Sequence, residues 1–576
     1  MIILGLSGAL GHDPSAALIA DGEIVAAAEE ERFLRDKHAK GRLPLHAARY
    51  CLAEAGIQAG DVDVVAFPYA PISLFRPDRW HYARRYWYAP DRALDALFNG
   101  NRRYRRNRRR VLALGDELGI SWQRTRFQPV EHHLAHASSA YHLSGFEAPA
   151  AILGVDGKGE YATTFFGIGE KGRIRRLHEY YDPDSLAGAY GAITEYLGFE
   201  MLDGEYKVMG MAPYGDATRY DLSRILPRTS SGFRVDSRLV NTVGWRRYRE
   251  GGKGFFFGPG LVEWLGPRRQ GDAADEPYIH IAAAMQALFE ERVLELLERH
   301  LGGVLRETGL LAYAGGGALN VKLNQRIVAL PHLRELFVQP ASGDSGTALG
   351  AASFVAAQAG ECPPRMRHAY LGPAFGDAAI EAAVARRADK VASTRVSDIV
   401  STTADLLAAG HPVAWFQGRM EFGPRALGNR SILGCPSVPG VADRINAQIK
   451  FRERWRPFCP SILDRVAREI IGTDHPAPYM TITFDVVPEW KTRIPEVVHE
   501  DGTARVQIVE RDTNPRYYAL LEAMEARTGN AVVLNTSLNR RGEAMVCSPD
   551  DALAMFLGCD LEYLVLGDYL VTRKAS

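Results

Sequence analysis

The chain opens on Ile2-Ile3-Leu4-Gly5-Leu6, a short apolar run closed by a glycine turn, and this pattern predicts a buried strand. The stretch "SAALIADGEIVAAAEEER" then predicts a second strand, an Asp21-Gly22 hairpin turn and a third strand. "PLHAARYCLAEAG" carries apolar residues at helical spacing with a glycine stop, and "DVDVVAF" reads as another strand. A hairpin followed by alternating helix and strand predicts an α/β layer fold and argues against a bundle.

The same logic returns further on. "AAILGVDGKGEYATTFFGIGEKGRIRRL" (150–177) predicts strand, Asp-Gly turn, strand, Gly turn and strand, a weak internal repeat of the opening. Two related halves of this kind are how the actin-like sugar-kinase and Hsp70 fold is built. "LLAYAGGGALNVKLN" (310–324) predicts strand, a Gly315-Gly316-Gly317 turn and helix. "LFVQPASGDSGTALGAASF" (336–354) predicts strand, glycine loop and a small-residue helix. Residues 356–395 lose periodicity and read as a linker between a first domain, 1–355, and a second α/β unit, 396–576. Strands of the second unit are expected at "PVAWF", "SILGC", "MTITFDV", "VVLNTS" and "YLVLGDYLV".

Composition narrows the classes. The chain has 576 residues, 46% hydrophobic, enough for two or more buried cores. Lys+Arg and Asp+Glu are each 69, so the formal charge is zero. That argues against a general nucleic-acid or membrane-surface binder, while leaving room for a local patch. Residues 71–126 hold such a patch, rich in Arg, Tyr and Trp, with "NRRYRRNRRR" its densest run. It reads as an inserted, solvated helical segment or, more sharply, as a face for an acceptor or anionic ligand, with Arg84 and Arg85 among its candidate contacts. Six cysteines without a CxxC pair, a first segment unlike a signal peptide and no long apolar run lead us to expect a reduced, cytoplasmic protein.

The chemistry-bearing positions fall in three groups. His132 and His136 stand at i, i+4 in "EHHLAHASSAY", so on a helix they share a face. That spacing makes a two-histidine metal platform, or simply surface histidines like His133 and His142. Asp156 closes the strand "AAILGVDG", and Asp344 sits in the glycine turn "SGDSG". Two imidazoles with one or two carboxylates suit Fe(II), Mn(II) or Zn(II). The Gly316-Gly317 turn before Asn320, with Lys207 in "GEYKVMGMAPYG", offers amides and a cation to a nucleotide phosphate. The second unit embeds cations in apolar, glycine-rich sequence: Arg419, Arg425, Arg430, Lys450, Arg452, Arg454, Arg456, Arg505 and Arg511, followed by Ser537 and Asn539. Such cations serve a phosphorylated ligand, or pair internally with Glu421, Glu453 and Glu510.

Nine strings in a fixed order make the chain similar to a known family: "GHDPSAALIADGEIVAAAEEERFLRDKH", "EHHLAHASSAY", "VDGKGE", "KVMGMAPYG", "GGGALNVKLN", "SGDSGTALGAA", "EFGPRALGNRSIL", "IKFRERWRPFCPSIL" and "LNTSLNRRGEAMV". Together they cover nearly the whole chain, and it resembles the nodulation- and antibiotic-type O-carbamoyltransferases. The resemblance implies an N-terminal actin-like (ASKHA) domain fused to a C-terminal YrdC-like α/β domain. It implies that the C-terminal domain makes carbamoyl-adenylate from ATP, with Mg(II), and carbamoyl phosphate. The N-terminal domain would then move the carbamoyl group to a hydroxyl of a small-molecule acceptor. By motif, His132, His136, Asp156 and Asp344 would hold a metal, iron as Fe(II) being the family's usual one. His12 would be the acceptor-side base, and Lys37 a nucleotide or carbamoyl contact. Arg425, Lys450, Arg456, Arg505 and Ser537 would line the adenylation site. The 71–126 insertion matches none of the nine strings, so the acceptor stays open. No nucleic-acid or membrane partner is expected, and a homodimer is compatible with the sequence. Rival readings are a tRNA threonylcarbamoyltransferase-like enzyme, disfavoured by the neutral charge, and a non-catalytic actin-like ATP-binding scaffold.

Overall fold

The computed structural model describes residues 1–271, 274–451, 453 and 455–574. The chain divides into two compact units. The first holds Met1–Gly11, Ala16–Ile24 and Ala55–Arg365, and the second holds His12–Ser15, Val25–Glu54 and Met366–Ser576.

Two five-stranded sheets carry the first unit, except that the outer strand of one, Glu23–Glu29, passes at Val25 into the residues of the second unit. One uses β1 (Ile2–Leu6), β2 (Ser15–Ala20), β3 (Glu23–Glu29), β4 (Val64–Phe67) and β5 (Arg126–Pro129), in the order β3-β2-β1-β4-β5. The other uses β6 (Ala150–Val155), β7 (Ala162–Glu170), β8 (Arg173–Tyr181), β9 (Leu310–Ala314) and β10 (Glu335–Val338), in the order β10-β9-β6-β7-β8. Read from the third strand, both orders are 3-2-1-4-5. In each, the first strand pairs antiparallel with the second and parallel with the fourth, and the fourth runs parallel to the fifth. The repeat expected from the sequence is thus a repeat of topology. Both hairpins also turn in the same way, because Asp21-Gly22 and Lys171-Gly172 each place two consecutive residues at positive φ. A two-residue turn of that kind matches the twist of its flanking strands.

Helices cover the sheets. Those used below are α1 (Pro77–Arg85), α2 (Pro90–Asn99), α3 (Arg102–Leu118), α4 (His132–Tyr141), α5 (Tyr278–Thr308), α6 (Val321–Val328) and α7 (Gly346–Gln358). The small-residue helix α7 lies between β1 and α4, and two glycines set its depth. A Cβ on Gly5 would stand 2.0 Å from the Ala348 carbonyl oxygen, and one on Gly350 would stand 2.0 Å from that of Ala135. No larger residue fits at either contact, so "GTALGAASFVAA" packs by backbone approach.

The second unit carries an eight-stranded mixed sheet. Its strands are β11 (Val391–Arg395), β12 (Val413–Phe416), β13 (Arg430–Gly434), β14 (Cys459–Leu463), β15 (Gln507–Val509), β16 (Val532–Ser537), β17 (Tyr563–Leu566) and β18 (Tyr569–Arg573). They lie in the order β11-β18-β17-β12-β13-β16-β14-β15. Helices α8 (Ile399–Ala408), α9 (Pro515–Thr528) and α10 (Pro549–Leu557) accompany it, and α9 and α10 start on side-chain caps from Asn514 and Ser548.

Several local readings need correction. "YLVLGDYLV" is two strands, β17 and β18, turned at Gly567-Asp568, with Gly567 at φ 58°. "MTITFDV" is strand only at Thr483–Asp485, because Met480 takes a left-handed φ of 55° and interrupts the run; it pairs with Thr503–Arg505 outside the large sheet. The stretch read as linker contains the end of α7, a helix at Asp377–Ala385 and β11. Four of the five β11 residues face solvent, so no apolar alternation marks it. β14 is hidden from a sequence reading by Pro460, since proline argues against an interior strand. Among the described residues no helix is long and apolar enough to cross a membrane.

Candidate metal centre and cationic site

The metal candidate assembles from three places in the first unit. Helix α4 starts at Glu131, and its first amide, that of His132, donates to both carboxylate oxygens of Glu160 at 3.2 Å. Glu160 also accepts the Ala70 amide at 2.7 Å, so one buried carboxylate ties the helix start to the segment after β4. Burial raises the Glu160 carboxyl to about 6.

One turn of helix brings His132 and His136 together, Nε2 to Nε2 at 3.1 Å with the rings nearly perpendicular. Asp156 follows the end of β6, and Asp344 lies in the loop between β10 and α7. His132 Nε2 is 3.6 Å from Asp156 Oδ2 and 3.4 Å from Asp344 Oδ1; His136 Nε2 is 4.0 Å and 3.7 Å from the same two side chains. All four residues are buried, and each offers a ligand atom within 4.8 Å of the others. Nitrogen and oxygen ligands bind first-row divalent ions at about 2.0–2.2 Å, so donors around one ion stand roughly 3–4 Å apart. The four donors fit that spacing, and the set of two imidazoles and two carboxylates suits Fe(II), Mn(II) or Zn(II) alike.

The electrostatics agree with a shared cation. Burial pushes the His132 imidazolium down, but Asp344 and Asp156 outweigh it and hold the group well above the usual imidazole value. Burial pushes Asp156 up, and hydrogen bonding to His132 with the charge of His136 outweighs that, leaving the carboxyl below its usual range. A pocket that holds a proton this tightly offers the same field to a metal ion. His133, next in sequence, behaves differently: burial presses it down to about 3, so it is a neutral packed side chain.

The glycine turn after β9 serves this pocket. The Gly316 amide donates to Asp156 Oδ1 at 2.8 Å, orienting a metal-ligand candidate from outside the donor set. Gly317 is needed for packing, since a Cβ there would stand 2.8 Å from Val155 Cγ1. Asn320 caps α6 by accepting the Leu323 amide and bonds Gln286 of α5 through both its amide atoms. Lys207 lies over the Phe199 ring at 5.2 Å.

The 71–126 insertion is rooted beside α4. Arg76 and Arg176 both bind Glu131 at its N-terminus, at 2.8 and 2.7 Å. Arg85 is a structural residue, not a face for ligands: it donates to both oxygens of Asp184 and to the Val235 carbonyl. Its neighbour Arg84 faces solvent.

His12 falls in the second unit, with Val25–Glu54, and not with the metal donors. Its Nδ1 is 3.0 Å from Asp13 Oδ2, while Asp13 Oδ1 is 2.7 Å from His38 Nδ1. Burial raises the Asp13 carboxyl, and its bonds to both imidazoles outweigh that, leaving it below the usual carboxylate value. Glu31 accepts the His38 amide at 2.7 Å, and Lys37 opens the single helical turn Lys37–Ala39 beside it.

Two cationic residues of the second unit, Lys450 and Arg505, lie at or beside the end of β16. Lys450, 4% exposed, donates to Ser537 Oγ at 3.2 Å, to Asn539 O and Oδ1 at 2.9 and 2.7 Å, and to the Ser537 carbonyl. Asn535, two residues before Ser537, pairs in register with Cys459, whose sulfur accepts from Arg505 Nε at 3.0 Å. Asn535 Nδ2 also donates to the carbonyl of Ala426, next to Arg425. Arg425 sits on a loop closed by Glu421, whose Oε1 accepts the amides of Leu427, Asn429 and Arg430 at 2.8, 2.9 and 3.1 Å. Arg456 Nη1 lies 3.5 Å from Glu453. Arg452 and Arg454 lie outside the described residues.

Arg430 belongs to a different class. It is fully buried, stacks on Phe416 at 3.7 Å and donates to the carbonyls of Gln417, Gly418, Asn429 and Pro373. Burial lowers its pKa to about 10. Sequence reasoning did not reach Glu160 or Asn535, and it gave Glu421 only as an ion-pair partner for the cations, not as the acceptor that closes a loop. The one available signal was the short spacing from Glu421 to Arg430 within a glycine-rich loop.

Comparison with known proteins matches these two regions separately. Residues 2–353 match the family model for the carbamoyltransferase N-terminus, and residues 404–573 match that for the carbamoyltransferase C-terminus. Nodulation protein NolNO of Sinorhizobium fredii strain NGR234 is 36% identical over 100% of this chain and 83% of its own length. Nodulation protein NolO of Bradyrhizobium diazoefficiens strain USDA 110 is 37% identical over 78% of this chain and 79% of its own. Among solved structures, full-length HypF in a phosphate- and nucleotide-bound form aligns with 62% of this chain and 55% of its own at 12% identity. Its TM-score of 0.30 is too low to support any further argument. Two family models that together span most of the chain, with relatives aligned along its full length, place this protein in the carbamoyltransferase family and make it a carbamoyltransferase.

Proposed function

We propose that this carbamoyltransferase is an ATP-dependent O-carbamoyltransferase with two chemically distinct sites, an actin-like transfer domain and a YrdC-like activating domain. Water would release phosphate from carbamoyl phosphate and leave carbamate. A carbamate oxygen would then displace pyrophosphate from ATP, with Mg(II), to give carbamoyl-adenylate in the second unit. A hydroxyl of a small-molecule acceptor would attack the carbamoyl carbon, and AMP would leave.

The observation that carries this reading is the cationic end of β16, where Lys450 binds Ser537 and Arg505 binds Cys459, which pairs with Asn535 two residues before Ser537. Guanidinium and ammonium donors held in advance stabilise the charge that develops on a transferring phosphoryl group. Lys450 is held against the oxygens of Ser537 and Asn539, and its proposed role is to meet the charge of an anionic substrate.

In the first unit, His132, His136, Asp156 and Asp344 would hold Fe(II) or a similar ion, which when bound supplies Lewis-acid polarisation of the carbamoyl oxygen. Glu160 and the Gly316 amide keep the ligand set in place. His12, which lies in the second unit, is the proposed base; its Nδ1 is turned to Asp13, whose carboxylate would stabilise the imidazolium formed on proton uptake. Lys37 and Lys207 are proposed contacts to the carbamoyl-adenylate.

The test needs no acceptor. The enzyme is incubated with ATP, Mg(II) and carbamoyl phosphate. This reading expects pyrophosphate whose release depends on carbamoyl phosphate. Formation of ADP, or no turnover of ATP, would exclude it in favour of a scaffold.

A further inference from the structure

The insertion at 71–126 leaves an unusual set of side chains in water. Phe75 is 90% exposed, Phe98 78%, Trp87 77%, Trp80 54%, Leu94 53% and Leu74 40%. Apolar groups this large are seldom left together on a soluble surface without a partner. Those at 74–80 and on α2 are held in one neighbourhood. Arg79, itself buried, donates to the carbonyls of Ile72, Ala96 and Leu97, fastening the loop before α1 to the end of α2. The Trp80 indole donates to the Leu74 carbonyl, and Ile72 and Asn101 exchange bonds. Leu94 and Phe98 are one turn apart on α2. Beneath, Ile72, Tyr82, Tyr86, Ala89 and Ala96 pack with Tyr161 and Val243, so the platform has its own core. The exposed residues are therefore surplus to that core.

Four residues beyond Phe98, α3 begins a second stripe. Its buried side is Asn107, Val111, Leu114 and Gly115, and Asn107 bonds the Ala9 carbonyl. Arg102, Arg105, Arg106 and Arg109 fall on the opposite side, at i, i+3, i+4 and i+7, and all four are exposed. None of these four guanidinium groups has a carboxylate at ion-pair distance among the described residues. Asp91 and Asp95 on α2 offset part of the charge, and the arginine row of α3 is the larger.

We infer that this face docks on an anionic lipid bilayer, with Phe75, Trp80, Leu94 and Phe98 entering the interfacial layer and the α3 arginines on the headgroup phosphates. Tryptophan and phenylalanine favour that layer, and a neighbouring basic row adds attraction to acidic lipids. The chemistry favours lipid over two rivals. A second copy in a two-fold contact would set arginine row against arginine row. A nucleic acid would use the arginines and aromatic rings and leave Leu74 and Leu94 bare. The zero net charge of the whole chain is compatible, because the attraction is local.

The test is co-sedimentation of the full chain with phosphatidylcholine vesicles, with and without phosphatidylglycerol, at low and high salt. Binding is expected only when phosphatidylglycerol is present, and to weaken with salt. Changing Arg102, Arg105, Arg106 and Arg109 together to Gln should lower partitioning by about 100-fold or more. Phe75→Ser with Phe98→Ser should lower it by roughly 10-fold or more. Thermal unfolding of both variants should match the parent, since every substituted residue is exposed. The inference is overturned if the parent does not sediment or binds both vesicle types equally. It is likewise overturned if the variants sediment like the parent. It also falls if the face instead proves to retain RNA, or to support a dimer that these substitutions abolish while vesicle binding persists.

Discussion

The two candidate sites solve opposite electrostatic problems. In the first unit, two imidazoles and two carboxylates point at one another across 3.1–4.0 Å, and the two negative charges are balanced when a divalent cation sits among them. In the second, the buried Lys450 ammonium is held at a strand end by carbonyl and hydroxyl acceptors, and the Arg505 guanidinium is held beside it by the Cys459 sulfur. The first arrangement suits a positive ion, and the second suits an anion. On the proposed function, that difference would divide activation, which handles phosphates, from transfer, which handles a carbonyl and a hydroxyl.

The largest effects should fall on the first site. His136→Ala and Asp344→Ala are each expected to lower bound metal by more than about 100-fold, beyond the range seen for outer-shell changes. Metal analysis of purified protein measures this, and full occupancy in either variant would break the comparison. In the second site, Lys450→Met should slow pyrophosphate release by about 100-fold, the cost of one transition-state donor, with metal content unchanged.

Arg430→Met sharpens the contrast inside the second unit. It strips donors from four carbonyls and leaves them buried, at a cost of about 3 kcal/mol read by denaturant unfolding. A stable Arg430→Met protein that fails only in catalysis would move Arg430 into the active site. The mildest expected change is Glu160→Gln, which loosens the start of α4 without touching the donors. Metal affinity should fall by about 10-fold, and an unaltered value would show that the helix start needs no anchor.

Much of this was legible in the sequence, and unevenly so. The Asp21-Gly22 and Lys171-Gly172 turns and the alternating strands declare both sheets of the first unit, and the i, i+4 histidines share a helix face wherever the helix packs. The metal donors were therefore within reach of spacing and strand ends. The cations of the second unit were visible only as a class. Nothing local separates Arg430, which closes a core, from Arg425, which sits on a loop; the distinction lies in the carbonyls that surround each. Glu160 and Asn535 act through contacts far along the chain, with partners such as Ala70 and Cys459, and no periodicity marks them. His12 follows β1 in the chain yet belongs with the second unit, because its segment is tied to residues after Val25, as by the bond of Asp13 to His38. The outer strand β11 was missed because four of its five side chains are solvated.

The central claim is that activation and transfer are separate chemistries, and one paired measurement tests it most directly. Arg425→Ala and His136→Ala are each assayed for carbamoyl-phosphate-dependent pyrophosphate release, and then for acceptor carbamoylation with carbamoyl-adenylate supplied. The account predicts that Arg425→Ala releases no pyrophosphate yet transfers from the supplied intermediate. It predicts that His136→Ala releases pyrophosphate normally and transfers nothing from either source. Loss of pyrophosphate release in both variants, or failure of the intermediate to rescue Arg425→Ala, would contradict it.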